Sequence, residues 1–215
     1  MLQDKRIYIQ TSKVLKNRTI DIICRGVLIK NASVLNKYYK KETIIKACKD
    51  GCPNFGKKWS CPPLSKDCHE LLDKYSKAIL ISLSTSMNNY MDIKNKYIAI
   101  KAANITLKNL IEKTARKIET KTKGYALLSG SCRLCKSCAC KNGQQCKHPD
   151  QMRYSIEASY LNVQEMCEEL MGLELLWYKK KRLPEYTSTV AAILFNYAVD
   201  IELISQIIED EIRNY

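Results

Sequence analysis

Seven of the eleven cysteines in this 215-residue chain fall into two tight sets: Cys48, Cys52 and Cys61, then Cys132, Cys135, Cys138 and Cys146. Any fold that uses them must bring each set to one place. The second set reads C-x2-C-x2-C-x7-C, and thiolates at i, i+3 and i+6 suit a cube of iron and sulfide. A single zinc ion is usually held by two C-x2-C knuckles separated by a longer gap. The spacing therefore predicts a four-ligand cage from Cys132, Cys135, Cys138 and Cys146, with Cys138 preferred over Cys140 by its register. The first set, C-x3-C-x8-C, supplies three ligands and would leave one iron of a cube open to substrate or sulfide. Cys68 would close that position, stand as a spare thiol, or open a helix.

Composition limits the alternatives. Hydrophobic residues make up 46% and charged residues 27% of the chain, which is a globular balance. A disulfide framework is set aside, because eleven cysteines leave one unpaired and Cys138 and Cys140 stand too close to bridge comfortably. No apolar run of about 18 residues is present and the first residues lack a secretory pattern, so a cytoplasmic protein without a membrane span is expected. The formal charge of +14 would suggest nucleic acid or a membrane surface as partner. Seven thiolates around two cubes of core charge about +2 would lower it by roughly three units. A solvated basic surface is the favoured reading.

Along the chain, residues 1–47 are expected to form an N-terminal extension packed on the core, with one or two strands. Residues 48–215 then form a single cysteine-rich metal-binding domain. Between Cys48 and Cys68, the residues Gly51, Pro53, Gly56, Pro62 and Pro63 predict an ordered loop. A short helix is expected from His69 to Tyr75. Strands are expected at 78–84, 125–129, 173–178 and 187–195, and helices at 91–121, 163–171 and 199–213. Gly124 and Gly172 should stop the first two of these helices. The sum is an α/β (α+β) sandwich with a mixed or mostly antiparallel sheet, helices and two cysteine-rich metal-binding loops.

Other residues carry weaker signals. Trp59 and Phe55 would shield a metal or pack in the core. Gly51 and Gly56 would let the backbone approach the sulfides. Arg133 and Arg153 are candidates for an anion near the clusters, and Ser155 with Glu157 reads as a helix cap and first-turn acid. His148 and His69 read as loop residues in preference to ligands. Cys24 and Cys167, alone in apolar surroundings, read as small buried residues. No Ser-His-Asp set, phosphate loop or dinucleotide fingerprint is found.

The run CKDGCPNFGKKWSCPP, followed about 70 residues later by SGSCRLCKSCACKNGQQCKHPDQMRYSIEASYLNV, resembles the "predicted metal-binding protein" family, domain of unknown function 2284. Its members share a pattern close to C-x-x-G-C-P-x-[YF]-G-x-x-W-[ST]-C-P-P, then G-x-C-x-x-C-x-x-C, C-[RK]-[HY]-P and S-x-E-A. The resemblance covers about Cys48 to Phe195, and departs from the pattern at Ser159-Tyr160 and in a Lys-rich N-terminus. It implies that Cys48, Cys52, Cys61, Cys132, Cys135, Cys138 and Cys146 are the metal ligands and that Cys24, Cys68, Cys140 and Cys167 are not. It implies no settled reaction.

The expected function is an oxygen-sensitive iron-sulfur protein with one or two [4Fe-4S] clusters. One cluster would be fully ligated for electron transfer and one open for redox or sulfur chemistry. Its partners would be a redox protein or a small-molecule substrate, and any enzyme activity that of an oxidoreductase or sulfur-transfer enzyme. The alternatives are a ferredoxin-like carrier without catalysis, and a zinc-bound nucleic-acid module using Lys37, Lys40, Lys41 and the basic run 179–182.

Overall fold

The computed structural model describes residues 5–15, 18–178 and 182–215, so most of the 179–182 basic run lies outside the described residues. The N-terminal segment forms a hairpin: β1, Arg6–Leu15, pairs antiparallel with β2, Arg18–Ile29. After β2 comes a 3-10 turn at Ala32–Tyr38, and then α1, Lys41–Gly51. The helix corrects the expectation of an irregular chain at Cys48. Its two isoleucines, Ile44 and Ile45, are only half-buried, so the sequence shows little apolar periodicity there.

Next come the single turn α2, His69–Leu72, and the strand β3, Lys77–Ser86. The long helix α3 spans Lys96–Thr122 and opens where the Asn95 side chain accepts the N–H groups of Tyr97 and Ile98. That cap explains why the helix starts later than Met91. It ends with Lys123 in the left-handed region at φ 50 and the Gly124 N–H on the Glu119 carbonyl at 2.9 Å. Gly124 itself is needed for space: a Cβ there would lie 2.2 Å from the Leu194 carbonyl oxygen. Beyond it follow β4, Tyr125–Leu127, α4, Val163–Met171, β5, Tyr186–Phe195, and α5, Ile201–Asn214.

The sheet order is β1-β2-β3-β5-β4 and all four pairings are antiparallel, the mostly antiparallel form of the expected α+β class. Strand alternation divides the core into two layers. Ile79, Ile81 and Leu83 face Ile100, Leu107 and Leu110 of α3 and Ile204 and Ile208 of α5. Leu80 and Ala78 share the opposite face with Leu35, Met166 and Cys167. Each fully buried Leu or Ile contributes about 1.5–3 kcal/mol, and the burial of β3 on both faces accounts for its nearly continuous apolar sequence.

The expected strand at 173–178 is not formed. Leu173 and Leu175 are buried and Glu174 and Trp177 exposed, so the segment is extended, but it takes no place in the sheet. β4 is only three residues long and ends with Leu127 opposite Ala192. The edge of β5 from Tyr186 to Ala191 therefore runs past the end of β4. Among the described residues, no helix is long and apolar enough to cross a membrane.

Candidate metal centre

The first cysteine set is assembled at the end of a helix. Cys48 lies in the last turn of α1 and Cys52 is its C-cap, with the Cys52 N–H donated to the Cys48 carbonyl at 3.0 Å. Four residues apart on a helix, the two side chains leave the same side. Cys61 joins them from the following turn. Burial first, and then the Cys52 and Glu157 charges, raise the Cys48 pKa. Burial raises that of Cys61 too, with Cys52 and Cys48 among the charges acting on it. Cys48 and Cys61 are thus near enough to Cys52 to feel its charge, and a bound cation would relieve that repulsion.

The second set lines one cavity. Cys132, Cys135, Cys138 and Cys146 surround it together with Trp59, Leu134 and His148. Burial raises the Cys132 pKa. At Cys138 burial acts in the same direction, but the backbone N–H groups of Cys140 and Trp59, the Cys140 thiol and the Lys58 ammonium prevail and lower it. These contacts favour the thiolate form of Cys138 more than burial opposes it, with Cys140 as its hydrogen-bonding neighbour. Cys140 is raised by burial and then by its hydrogen bond and charge interaction with Cys138.

A three-residue stretch of the first loop joins the two. Lys58 Nζ donates to Ser131 Oγ at 3.1 Å and to the Cys132 carbonyl at 2.7 Å. The Cys132 N–H returns a bond to Ser60 Oγ at 3.0 Å, and Trp59 Nε1 donates to the Gln144 carbonyl at 3.0 Å. Trp59 thereby covers the second set although it belongs to the first motif. Neither Lys58 nor Ser60 was marked by the sequence as functional. The only signal was their position inside the run K-W-S-C-P-P.

Other candidates take structural places. Arg133 pairs with Glu112 at 2.8 Å, and Arg153 with the mostly buried Glu119 at 2.5 Å, so each guanidinium is engaged by a carboxylate of α3. Ser155 Oγ accepts the Ala158 N–H at 3.1 Å ahead of a 3-10 turn whose N-cap position is Ile156, and the next α-helix, α4, is capped instead by Asn162. Cys24 and Cys167 are fully buried and burial pushes each thiol up to about 12. Cys68 is the N-cap residue of α2 and is buried, its thiol pushed up to about 12 by burial and then by Asp67. It packs with the core. Lys37, Lys40 and Lys41 lie within ion-pair reach of Glu169, Glu165 and Asp67.

Among the described residues, one group of three donor atoms lies within 4.8 Å of one another: Asp67, Cys68 and His69. Its carboxylate is already engaged, with Oδ1 contacting His69 Nδ1 at 2.9 Å and Oδ2 accepting from the Tyr39 hydroxyl at 2.5 Å. The two cysteine sets, by contrast, offer thiols that repel one another's charge. Soft sulfur donors in such groups fit a thiophilic metal.

No curated protein and no solved structure gives a significant match to the chain. A family model described as "Predicted metal-binding protein (DUF2284)" matches residues 35–195, three quarters of the length and all seven cysteines of the two sets. By this match and by the two groups of thiols it brings together, the chain belongs to that family of predicted metal-binding proteins.

Proposed function

We propose that the protein is an iron-sulfur protein carrying two four-iron clusters. Cys132, Cys135, Cys138 and Cys146 would hold one, and Cys48, Cys52 and Cys61 the other, with one iron free of protein ligands. The observation that carries this reading is the single cavity lined by Cys132, Cys135, Cys138 and Cys146. Three of these follow one another at i, i+3 and i+6, the run that suits a cube in which each thiolate binds a different iron.

When bound, such a group passes single electrons, and an iron lacking a protein ligand binds and polarises a small molecule. The chain's own residues do the rest. Trp59 and Leu134 line the second cavity and exclude water, which sets how readily charge can change there. The N–H groups of Cys140 and Trp59 stabilise Cys138 as a thiolate, and the Lys58 ammonium offsets the accumulated negative charge. The joint made by Lys58, Trp59 and Ser60 holds the two cysteine loops together, which would set up electron passage between two centres. Pairing of Lys37, Lys40 and Lys41 with carboxylates favours this reading over a nucleic-acid module.

Anaerobic purification followed by iron and acid-labile sulfide analysis tests the proposal. A brown protein with iron and sulfide in near-equal amounts, bleached by air, is expected. A colourless protein with about one or two zinc ions and no sulfide overturns it.

A further inference from the structure

Between α3 and the uncovered part of β5 lies a cavity of about 450 Å³, within the range of small-molecule sites. One wall is a single stripe of the helix: Tyr97, Lys101, Asn104 and Lys108, three or four residues apart. The opposite wall is the part of β5 that runs past the end of β4, including Thr189. The extended segment 173–178 brings Trp177 to the rim. This is the stretch that the sequence suggests as a strand, and by staying out of the sheet it leaves room beside β5.

The lining is rich in unused donors. Among the described residues, neither Lys101 nor Lys108 forms an ion pair with a carboxylate. The Asn104 carbonyl oxygen accepts the Thr187 hydroxyl at 2.6 Å, which leaves its amide N–H groups for another acceptor. Thr189 is only 4% exposed and its hydroxyl has no hydrogen-bond partner. A buried hydroxyl without a partner costs roughly 1–3 kcal/mol, which a ligand would recover. The Lys108 ammonium lies against Gly130, whose φ of +71 lets the loop toward Cys132 pass close: a Cβ there would be 3.0 Å from Nζ.

Two lysines and one carboxylate, Glu157, line the cavity, so its formal charge matches a monoanion. No guanidinium fork of the kind that favours phosphate is present in the lining. Apolar and aromatic area comes from Tyr97, Trp177 and Tyr178, the two tyrosine rings being 6.3 Å apart.

We propose that this cavity binds a small carboxylic acid with a flat ring, its carboxylate held by Lys101, Lys108 and the Thr189 hydroxyl and its ring lying against Tyr97 and Trp177. Glu157 lines the same cavity, and its carboxylate would disfavour a ligand that carries a second negative charge.

Calorimetric titration of the anaerobically purified protein with 2-naphthoate, and with neutral 2-naphthamide, tests it. Saturable one-site binding of the acid is expected, weakened about tenfold for the amide and about tenfold in Lys101→Met and Lys108→Met. Thr189→Val should weaken it a few-fold. Lys101 is exposed, so its variant folds even where Lys108→Met does not. No saturable binding by millimolar naphthoate, equal binding of acid and amide, or unchanged affinity in the lysine variants overturns the proposal. Iron and sulfide are assayed on the same samples. Protein that holds its clusters but ignores naphthoate overturns the pocket alone, and naphthoate binding by a sulfide-free zinc protein overturns the cluster reading alone.

Discussion

The backbone N–H of Cys132 donates to the buried hydroxyl of Ser60 at 3.0 Å, so the first residue of one cysteine set is held by the neighbour of the last residue of the other. Seventy-two positions separate the two partners. Ser60 also lies 3.9 Å from Cys61 Sγ, and its one hydroxyl thus touches one residue of each set. With the two bonds of Lys58 to Ser131 and Cys132, this joint fixes the distance and orientation between the sets.

Ser60→Ala should therefore act on both sets at once. The Cys132 N–H would lose its partner in a partly buried site, at about 1–3 kcal/mol. The expected outcome is a lower urea midpoint of similar size and loss of metal from the second set. Metal content per chain and anaerobic unfolding check it; unchanged metal content would show that the joint does not position Cys132.

Removal of single cysteines separates ligands from bystanders. Cys61→Ala should abolish one metal centre. Cys68→Ala should retain full metal content and lose about 1–2 kcal/mol of stability from the small cavity left in the core. Cys140→Ala should keep the metal as well, while weakening the stabilisation of Cys138. Metal and sulfide stoichiometry of the three variants is the measurement. If Cys68→Ala loses as much metal as Cys61→Ala, the placement of Cys68 with the core is wrong.

Gly124→Ala tests the contact of α3 with the sheet edge. The added Cβ would stand 2.2 Å from the Leu194 carbonyl oxygen and 2.8 Å from Thr122 Oγ1. Neither neighbour can yield without moving β5 or the end of the helix. A destabilisation of about 1–3 kcal/mol is expected. Gly172→Ala, at φ +62 with open space around it, should cost less, about 1 kcal/mol. Urea unfolding of both variants gives the comparison.

Much of this architecture is legible in the sequence. AILISLS reads as a buried strand because β3 is covered on both faces, and the period of α3 shows because one side of it packs on the sheet. α1 is hidden, since its short apolar face is half-buried and Gly51 and Pro53 follow at once. LELLWY at 173–178 has the alternation of a strand, yet alternation reports one buried side and not hydrogen bonding to a neighbour. The two sets of cysteines can be read from spacing alone. Their joint cannot, because Lys58 and Ser60 are ordinary residues until the fold brings residue 131 and its neighbours alongside. The ion pairs of Arg133 and Arg153 are hidden for the same reason: their carboxylate partners, Glu112 and Glu119, lie on a helix distant in sequence.

The pH dependence of stability should carry a contribution from Asp67. Burial tends to raise its pKa, but the Tyr39 hydroxyl, the His69 backbone N–H and the Lys41 ammonium more than offset this and hold it below its ordinary value of 3.8. A carboxyl group whose folded pKa is depressed binds protons more readily in the unfolded chain. Its stabilising contribution is therefore present above the unfolded value and is lost as pH falls through the folded one. Asp67→Asn keeps the shape but abolishes this titration. The stability gap between the native protein and Asp67→Asn should be widest near pH 6 and close as the pH is lowered toward about 3. Urea midpoints of the two proteins across that range measure it. A gap that stays constant with pH would mean that Asp67 acts through its shape and neutral hydrogen bonds, and that its charge does not hold Tyr39 and Lys41 in place.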